Sequence, residues 1–296
     1  MSPNTVSLDI EDLDLGATLL SGQAFRWNPD GAWFCGFIGN TPVRLQTRGN
    51  RLIAEWSPDG RAGDHLPADG VIAASLRSYL DLDRDYAAIR AEAAERLPAL
   101  REAMVFSRGL RVLRQDPWET LVSFIISACN NVPRITRIVS KMCRGGSAFP
   151  SAGELAAAGE ESLRRLGLGY RAPYVASAAR MVESGELDLE ALRTMPTAEA
   201  RRRLMSAPGV GGKVADCVLL YGLQRYDVVP VDVWIKRIIE GLLLGGREMS
   251  TGRVRAWAVE NLGPHAGIIQ VCLFHYARST RFRDPHTTCA PSTLSI

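Results

Sequence analysis

Lys213 and Asp232 are the two residues whose types and surroundings could break a bond to a sugar. Lys213 follows a Pro-Gly-Val-Gly-Gly turn and opens a helical pattern, where its charge opposes the helix dipole. An amine so placed is a candidate nucleophile. Asp232 stands nineteen residues later, after Val-Pro-Val and directly before a new apolar-periodic run, the position of an N-cap. A carboxylate held by helix amides keeps its charge. Facing one groove, such a pair could displace a base from its sugar: the aspartate would stabilise the cationic sugar while the lysine attacks C1′. Blander alternatives stand beside this one. The lysine could only touch a phosphate, and the aspartate could be a plain cap.

The elements that must position these groups follow from the glycines. Gly209, Gly211 and Gly212 allow positive φ and close approach of a partner's backbone. The amides opening the next helix have no acceptor within it, and the dipole there favours an anion. Helix, glycine-rich hairpin and helix together form a device for gripping a phosphate backbone independently of sequence. Cys217 lies one turn beyond Lys213 on the same helix face, either lining a site or filling a core. Gln270 and Phe274, spaced i,i+4, share a face of a later helix. By pattern alone Phe274 reads equally as a core residue.

The chain has 296 residues, 46% of them hydrophobic and 23% charged, with a formal net charge of +3. That describes a globular protein with room for two cores, mildly basic and compatible with nucleic acid. Its six cysteines form no Cys-x-x-Cys pair and have no zinc spacing, so neither a metal site, an iron–sulfur cluster nor a disulfide frame is expected. The amino terminus has no signal-peptide pattern, and the longest apolar run, Leu121–Cys129, is too short to span a bilayer. The expectation is a reduced, cytoplasmic protein with no membrane partner. No heptad or self-complementary stretch stands out, so a monomer is expected.

Residues 32–38, 42–47 and 51–56 are short β-type runs separated by Gly-Asn turns, predicting an antiparallel meander. Helical periodicity begins near Val71 and continues over 87–97, 118–129, 133–144, 151–158, 160–167, 173–184, 197–206, 213–224, 233–244, 251–262 and 265–278. The expected fold class is α+β. An N-terminal antiparallel sheet domain with flanking helices (1–107) would precede a helical domain (108–285). That second domain carries the helix-hairpin-helix at about 197–224 and the aspartate loop, and a tail occupies 286–296.

Leu204–Val233 resembles the helix-hairpin-helix glycosylase superfamily, and more narrowly the 8-oxoguanine DNA glycosylases. Five separated stretches carry the resemblance in order: Ser21–Trp27, Phe124–Asn131 with Arg134–Thr136, Leu166–Arg171, Lys213–Cys217 and Gln270–Phe274. It covers about residues 8 to 280. The resemblance implies a bifunctional glycosylase/AP lyase acting on double-stranded DNA that contains 8-oxoguanine, preferably opposite cytosine. Lys213 would form a Schiff base with the sugar, and Asp232 would be its catalytic carboxylate. Gly22 would offer its carbonyl to the N7–H that guanine lacks, although it could simply serve a turn. Cys217 and Phe274 would sandwich the extruded base, and Gln270 would read its Watson–Crick edge. Arg134 and Arg171 would bond the orphaned cytosine, with Tyr170 wedged beside it and Asn130 and Asn131 in the minor-groove loop. Arg171 could instead be a solvated surface charge and Asn131 a cap. No cofactor is required, but the superfamily implies that carbonyls of Met205, Ala207 and Val210 could hold a monovalent cation bridging to a phosphate. Such an enzyme would reside in the nucleoid of a bacterium or the nucleus of a eukaryote.

Four positions depart from the family pattern. Cys129 replaces an Asn of the minor-groove triplet, Trp234 replaces a phosphate-contacting His, Ala277 replaces an Asp, and Tyr221 replaces a Met of the base pocket. Two rival readings remain: a glycosylase for another damaged purine, or a catalytically silent hairpin module that binds DNA. Lys213 weighs against the alkyl-purine branch, and possession of both Lys213 and Asp232 weighs against the silent module.

Overall fold

The computed structural model describes residues 4–56, 69–144 and 148–282; the expected tail and Cys289 lie outside the described residues. Five strands, β1 (Asn4–Asp9), β2 (Asn28–Asp30), β3 (Trp33–Ile38), β4 (Thr41–Arg48) and β5 (Arg51–Trp56), form one antiparallel sheet in the order β1-β5-β4-β3-β2. The three expected runs are β3, β4 and β5, and the meander gains a short strand and β1 at its edges. Ile38 pairs with Thr41 and Arg48 with Arg51, so two-residue turns close these hairpins. Gly39 and Gly49, the first residues of those turns, have φ of 58° and 57°. Glycine adopts that conformation without strain, and turns of this hand match the twist of the strands.

The sheet buries one face by alternation. Leu52, Ala54 and Trp56 of β5 and Val43 and Leu45 of β4 meet Leu15 and Leu19 of α1 (Leu15–Leu20) and Ile72 and Leu76 of α2 (Asp69–Tyr79) in one core. Burying each large aliphatic side chain stabilises by about 1.5–3 kcal/mol, which orders the sheet despite its short strands.

The remaining helices are α3 (Tyr86–Arg96), α4 (Arg101–Phe106), α5 (Pro117–Ser127), α6 (Val132–Met142), α7 (Ala152–Leu163), α8 (Ala172–Glu183), α9 (Thr197–Leu204), α10 (Gly212–Cys217), α11 (Val233–Leu243), α12 (Thr251–Leu262) and α13 (Ala266–Thr280). Their starts are chemically marked. Asp116, Asn131, Ser151, Asp232 and Ser250 each accept a backbone N–H from the first turn they precede. Gly159, with φ 70° and ψ 171°, breaks α7 where the periodicity predicts a break between residues 158 and 160. Helix α5 ends two residues before the expected Cys129, because Ala128 turns extended and Cys129 takes a φ of 49°.

Contacts divide the chain into two compact units, Met1–Tyr86 with Gly109–Arg225, and Ala87–Arg108 with Tyr226–Ile296. The expected division into 1–107 and 108–285 differs from this one. The segment after residue 108 is fastened to the sheet side of the chain: Asp14 N–H donates to the Gly109 carbonyl (2.8 Å) and Leu113 N–H to Gln23 Oε1 (2.8 Å). The buried Arg111 guanidinium donates to the carbonyls of Asp81 (2.7 Å) and Glu11 (3.0 Å). The sheet and helices α5–α10 therefore form one unit. The other contains most of α3 together with α4 and α11–α13.

Candidate active site

In the first unit the hairpin joins α9 to α10. The amides of Ser206 and Ala207 donate back to Arg203 and Leu204, and Val210 N–H donates to the Ala207 carbonyl at 3.1 Å, closing the turn. Gly209, at φ 80°, packs so tightly on Tyr174 of α8 that a Cβ would stand 2.4 Å from the ring. Its glycine is required by packing as well as by φ. Gly211 is different: a Cβ there would meet nothing within 4 Å, and no side chain caps the helix it precedes. The opening amides of α10 are thus left to an outside acceptor. Arg201 of α9 and the buried Asp216 of α10 pair at 2.8 Å and clamp the two helices.

Lys213 is half-buried on the first turn of α10. Its Nζ donates to Ser127 Oγ at 3.0 Å and lies 4.8 Å from the centre of the Phe124 ring. Phe124 is itself stacked on Tyr221 (5.3 Å, 12°) and meets the edge of Phe25 (5.7 Å). Nζ therefore has a hydroxyl partner and an aromatic floor, a combination that fixes its direction. Phe124 and Ser127 belong to one of the stretches that carry the resemblance, which assigns neither of them a role. Their i,i+3 spacing on one apolar helix is the signal that could have found them. Cys217 is buried at the other end of α10. Tyr221, where a Met was expected, belongs to the aromatic stack beneath the lysine.

The loop after α5 is built from the other predicted residues. Asn131 caps α6 by accepting Arg134 N–H at 3.0 Å, as the structural alternative for it held. Asn130 folds back, donating to the Ile126 carbonyl (3.0 Å) and accepting Asn131 N–H (3.0 Å). Arg171 is only 3% exposed and donates through Nε to the Ala128 carbonyl at 2.8 Å and through Nη2 to that of Cys129 at 2.9 Å. This overturns the reading of Arg171 as a solvated charge. These bonds hold the guanidinium against the loop. Tyr170 stays half-exposed, beneath the Arg171 guanidinium and donating its hydroxyl to the Ala128 carbonyl at 3.2 Å. Arg134 and Cys129 are exposed.

Gly22 takes a φ of 92°, which glycine adopts without strain. The rest of its motif is structural. Gln23 is buried and donates to the carbonyls of Thr18 (2.9 Å) and Arg111 (2.8 Å), Trp27 Nε1 donates to Tyr79 (2.7 Å), and Arg26 pairs with Glu119 at 3.0 Å. Burial pushes the Glu119 carboxyl up even with Arg26 beside it. A cavity of about 580 Å³ lies here, lined by Arg26, Phe37, Tyr79 and Glu119 among others, and it includes none of the predicted site residues.

In the second unit Asp232 caps α11, its Oδ1 accepting the amides of Trp234 (3.0 Å) and Ile235 (2.9 Å). The neighbouring Val233 is 71% exposed, unusual for a valine. Gln270 is 4% exposed on α13, and its Oε1 has no hydrogen-bond partner. A buried amide oxygen without a partner is an acceptor open to a ligand or a water. Phe274, one turn on, is half-buried, so the fully buried core reading does not hold for it. Among the described residues no His/Cys/Asp/Glu group could hold a metal ion, and no helix is long and apolar enough to cross a membrane.

Residues 5–121 match the N-terminal domain of the 8-oxoguanine DNA glycosylases, and residues 122–262 match the HhH-GPD superfamily of base excision DNA repair proteins. The chain is 32% identical over 285 residues to the N-glycosylase/DNA lyase OGG1 of Arabidopsis thaliana, spanning 89% of this chain and 77% of that one. A structure described as MBOgg1 in complex with a low-affinity DNA ligand superposes with a TM-score of 0.87 at 35% identity, over 95% of this chain and all of the other. The Clostridium acetobutylicum 8-oxoguanine glycosylase/lyase, in complex with double-stranded DNA containing cytosine opposite the lesion, gives 0.84 at 28% identity, over 95% and 100% of the two chains. A 3-methyladenine DNA glycosylase from Archaeoglobus fulgidus shares the fold (TM-score 0.74, 20% identity, 92% and 98% covered).

Proposed function

We propose a function from the premise that this chain belongs to the 8-oxoguanine DNA glycosylase family of the HhH-GPD superfamily. It is a base-excision repair enzyme, an N-glycosylase and DNA lyase, whose substrate is double-stranded DNA carrying 8-oxoguanine, preferably opposite cytosine. It works as a monomer wherever the DNA is, the nucleoid of a bacterium or the nucleus of a eukaryote. The observation that carries this reading is Lys213, half-buried on an uncapped helix start and aimed by Ser127 and Phe124.

Lys213 Nζ attacks C1′ of the damaged nucleotide as the bond to the base breaks. Asp232 stabilises the cationic sugar of that transition state and stays fixed, because its Oδ1 is held by two amides. The amine gives up a proton and the departing base takes one. The sugar ring then opens at C1′–O4′, with O4′ taking a proton, and the Schiff base so formed acidifies the 2′ hydrogen, whose loss expels the 3′ phosphate by β-elimination. Extruding the base costs a few kcal/mol, returned by stacking and edge contacts. Phe274 and Cys217 take its faces, and Gln270, with its unsatisfied Oε1, takes its Watson–Crick edge. The Gly22 carbonyl accepts N7–H. Guanine would oppose two acceptors there, an arrangement a buried site rejects strongly. Arg134 reads the orphaned cytosine with Tyr170 beside it, Asn130 and Asn131 shape the loop, and Arg171 holds that loop in place. Gly209 and Gly211 bring the hairpin amides to a phosphate. The uncharged carbonyls of Met205, Ala207 and Val210 suit a monovalent cation there. The Ala207 carbonyl accepts only Val210 N–H among the bonds described, and a carbonyl oxygen has a second lone pair to offer. Such an ion would supply positive charge to the bound phosphate.

The test is borohydride trapping on a duplex with one 8-oxoguanine opposite each base in turn. The expected result is a covalent adduct, strongest opposite cytosine and absent from Lys213→Gln. Base release without an adduct would mean that water, not Lys213, is the nucleophile. Neither release nor adduct would sink the reading.

A further inference from the structure

Helix α6 carries three exposed cations, Arg134, Arg137 and Lys141, that share one face. At 100° per residue they fall within about 60° of one another, their centre about 120° round the helix from that of the buried Ile135, Ile138, Val139 and Met142. Like charges at i,i+3 and i,i+4 weaken a helix, and Arg134 also opposes the dipole at the helix start. Several other cations are relieved by an acidic residue four positions before or after them. Arg164 pairs with Glu160, Arg165 with Glu161, Arg96 with Glu92 and Lys236 with Glu240. Helix α6 contains no acidic residue, and among the described residues none of its three cations forms an ion pair. A stripe of like charges with no partner of its own suits a bound polyanion.

Its place says which polyanion. The helix begins at the loop 128–131, directly after Ser127, the residue that bonds the Lys213 ammonium. A sugar at Lys213 would lie beside Ser127, a few residues before α6, and the stripe extends for about 10 Å along that helix at 1.5 Å per residue. We infer that the exposed face of α6 is a phosphate rail, on which Arg137 and Lys141 contact the duplex backbone beyond the lesion. The inference rests on the DNA-binding part of the reading above, not on which lesion is excised.

The test compares wild type, the Arg137→Gln/Lys141→Gln double variant and an Arg164→Gln control. Affinity for an undamaged duplex is measured against salt, and single-turnover excision is measured on an 8-oxoguanine duplex at saturating enzyme. Each phosphate contact contributes about 0.9 to the slope of log affinity against log salt. The double variant is expected to flatten that slope by nearly two, weakening binding at low salt about equally on every sequence. The control keeps the wild-type slope, and all three excise at the same saturated rate. An unchanged slope in a double variant with wild-type circular dichroism overturns the inference and leaves α6 to a partner other than DNA. Loss of 8-oxoguanine excision in the wild type with the slope difference intact would sink the lesion assignment and spare the rail.

Discussion

Arg134 and Arg171 look equivalent in the sequence, two arginines in the stretches expected to read the opposite base. Their surroundings separate them. Arg171 is buried and spends its donors on the carbonyls of Ala128 and Cys129, more than forty residues back. No local pattern could announce that, since the acceptors are main-chain atoms of a distant loop. Arg134 is exposed on the first turn of α6. The two substitutions should therefore part company. Arg171→Gln should destabilise the protein by roughly 1.5–3 kcal/mol in urea unfolding, because it removes the hydrogen bonds that a charged donor makes to the Ala128 and Cys129 carbonyls. Arg134→Gln should leave the unfolding curve in place and reduce the preference for cytosine over other opposite bases about tenfold or more. Equal stability losses in both would show that the division of labour is misassigned. Lys213 and Asp232 were legible because their neighbours in sequence, a glycine turn and a helix start, also set their geometry. Ser127 was not, because its partner Lys213 lies 86 residues away.

The helix-hairpin-helix is the element best read from sequence. Gly209 and Gly211 announce a turn, but they act differently. Gly209 packs against Tyr174, whereas Gly211 leaves open space. Gly209→Ala forces both a strained φ and a clash with the ring, so a loss of at least 1–3 kcal/mol and a clear fall in Tm are expected. Gly211→Ala should change Tm little and weaken DNA binding instead. A matching fall in Tm for both would remove the distinction. The clamp beneath the hairpin was not foreseen, because a buried Asp216 on an apolar helix looks like noise until Arg201 reaches it. Asp216→Asn removes one charge of a half-shielded pair and should cost about 3 kcal/mol. The helix starts were legible throughout, since a cap is a local event. The end of α5 was not, since it depends on Cys129 taking a left-handed conformation.

At the scale of the molecule, the α+β class and the order of sheet then helices follow from the switch in hydrophobic period near Val71. The division into units does not, because it is decided by contacts such as those of Arg111 and Gln23 with parts of the chain almost a hundred residues away. Asp81 is the hub of that fastening, 1% exposed and bonded to Arg84 and to the Tyr86 hydroxyl and paired with Arg114. Burial pulls its pKa upward, but those partners outweigh it and the net shift is downward. A carboxyl lowered on folding adds stability above its unfolded value, about 3.9, and loses it as pH falls through the lower folded value. Wild type should therefore lose stability as pH drops below about 4. Asp81→Asn should be less stable at pH 7 and show less of that acid loss. Parallel pH profiles for the two proteins would contradict the hub role.

The second unit is discontinuous in the chain, and this has a consequence for its birth. Helix α4 is made early, but Ser107 at its end donates to the carbonyl of Cys272 on α13, 165 residues later, at 3.0 Å. At about 5–20 residues per second, a ribosome takes on the order of ten seconds to cover that distance. During that interval Ala103 and Met104, buried in the finished protein, have no α13 to cover them. The nascent chain thus carries a sticky helix through most of its own synthesis, and a stall or truncation after Arg225 strands it there.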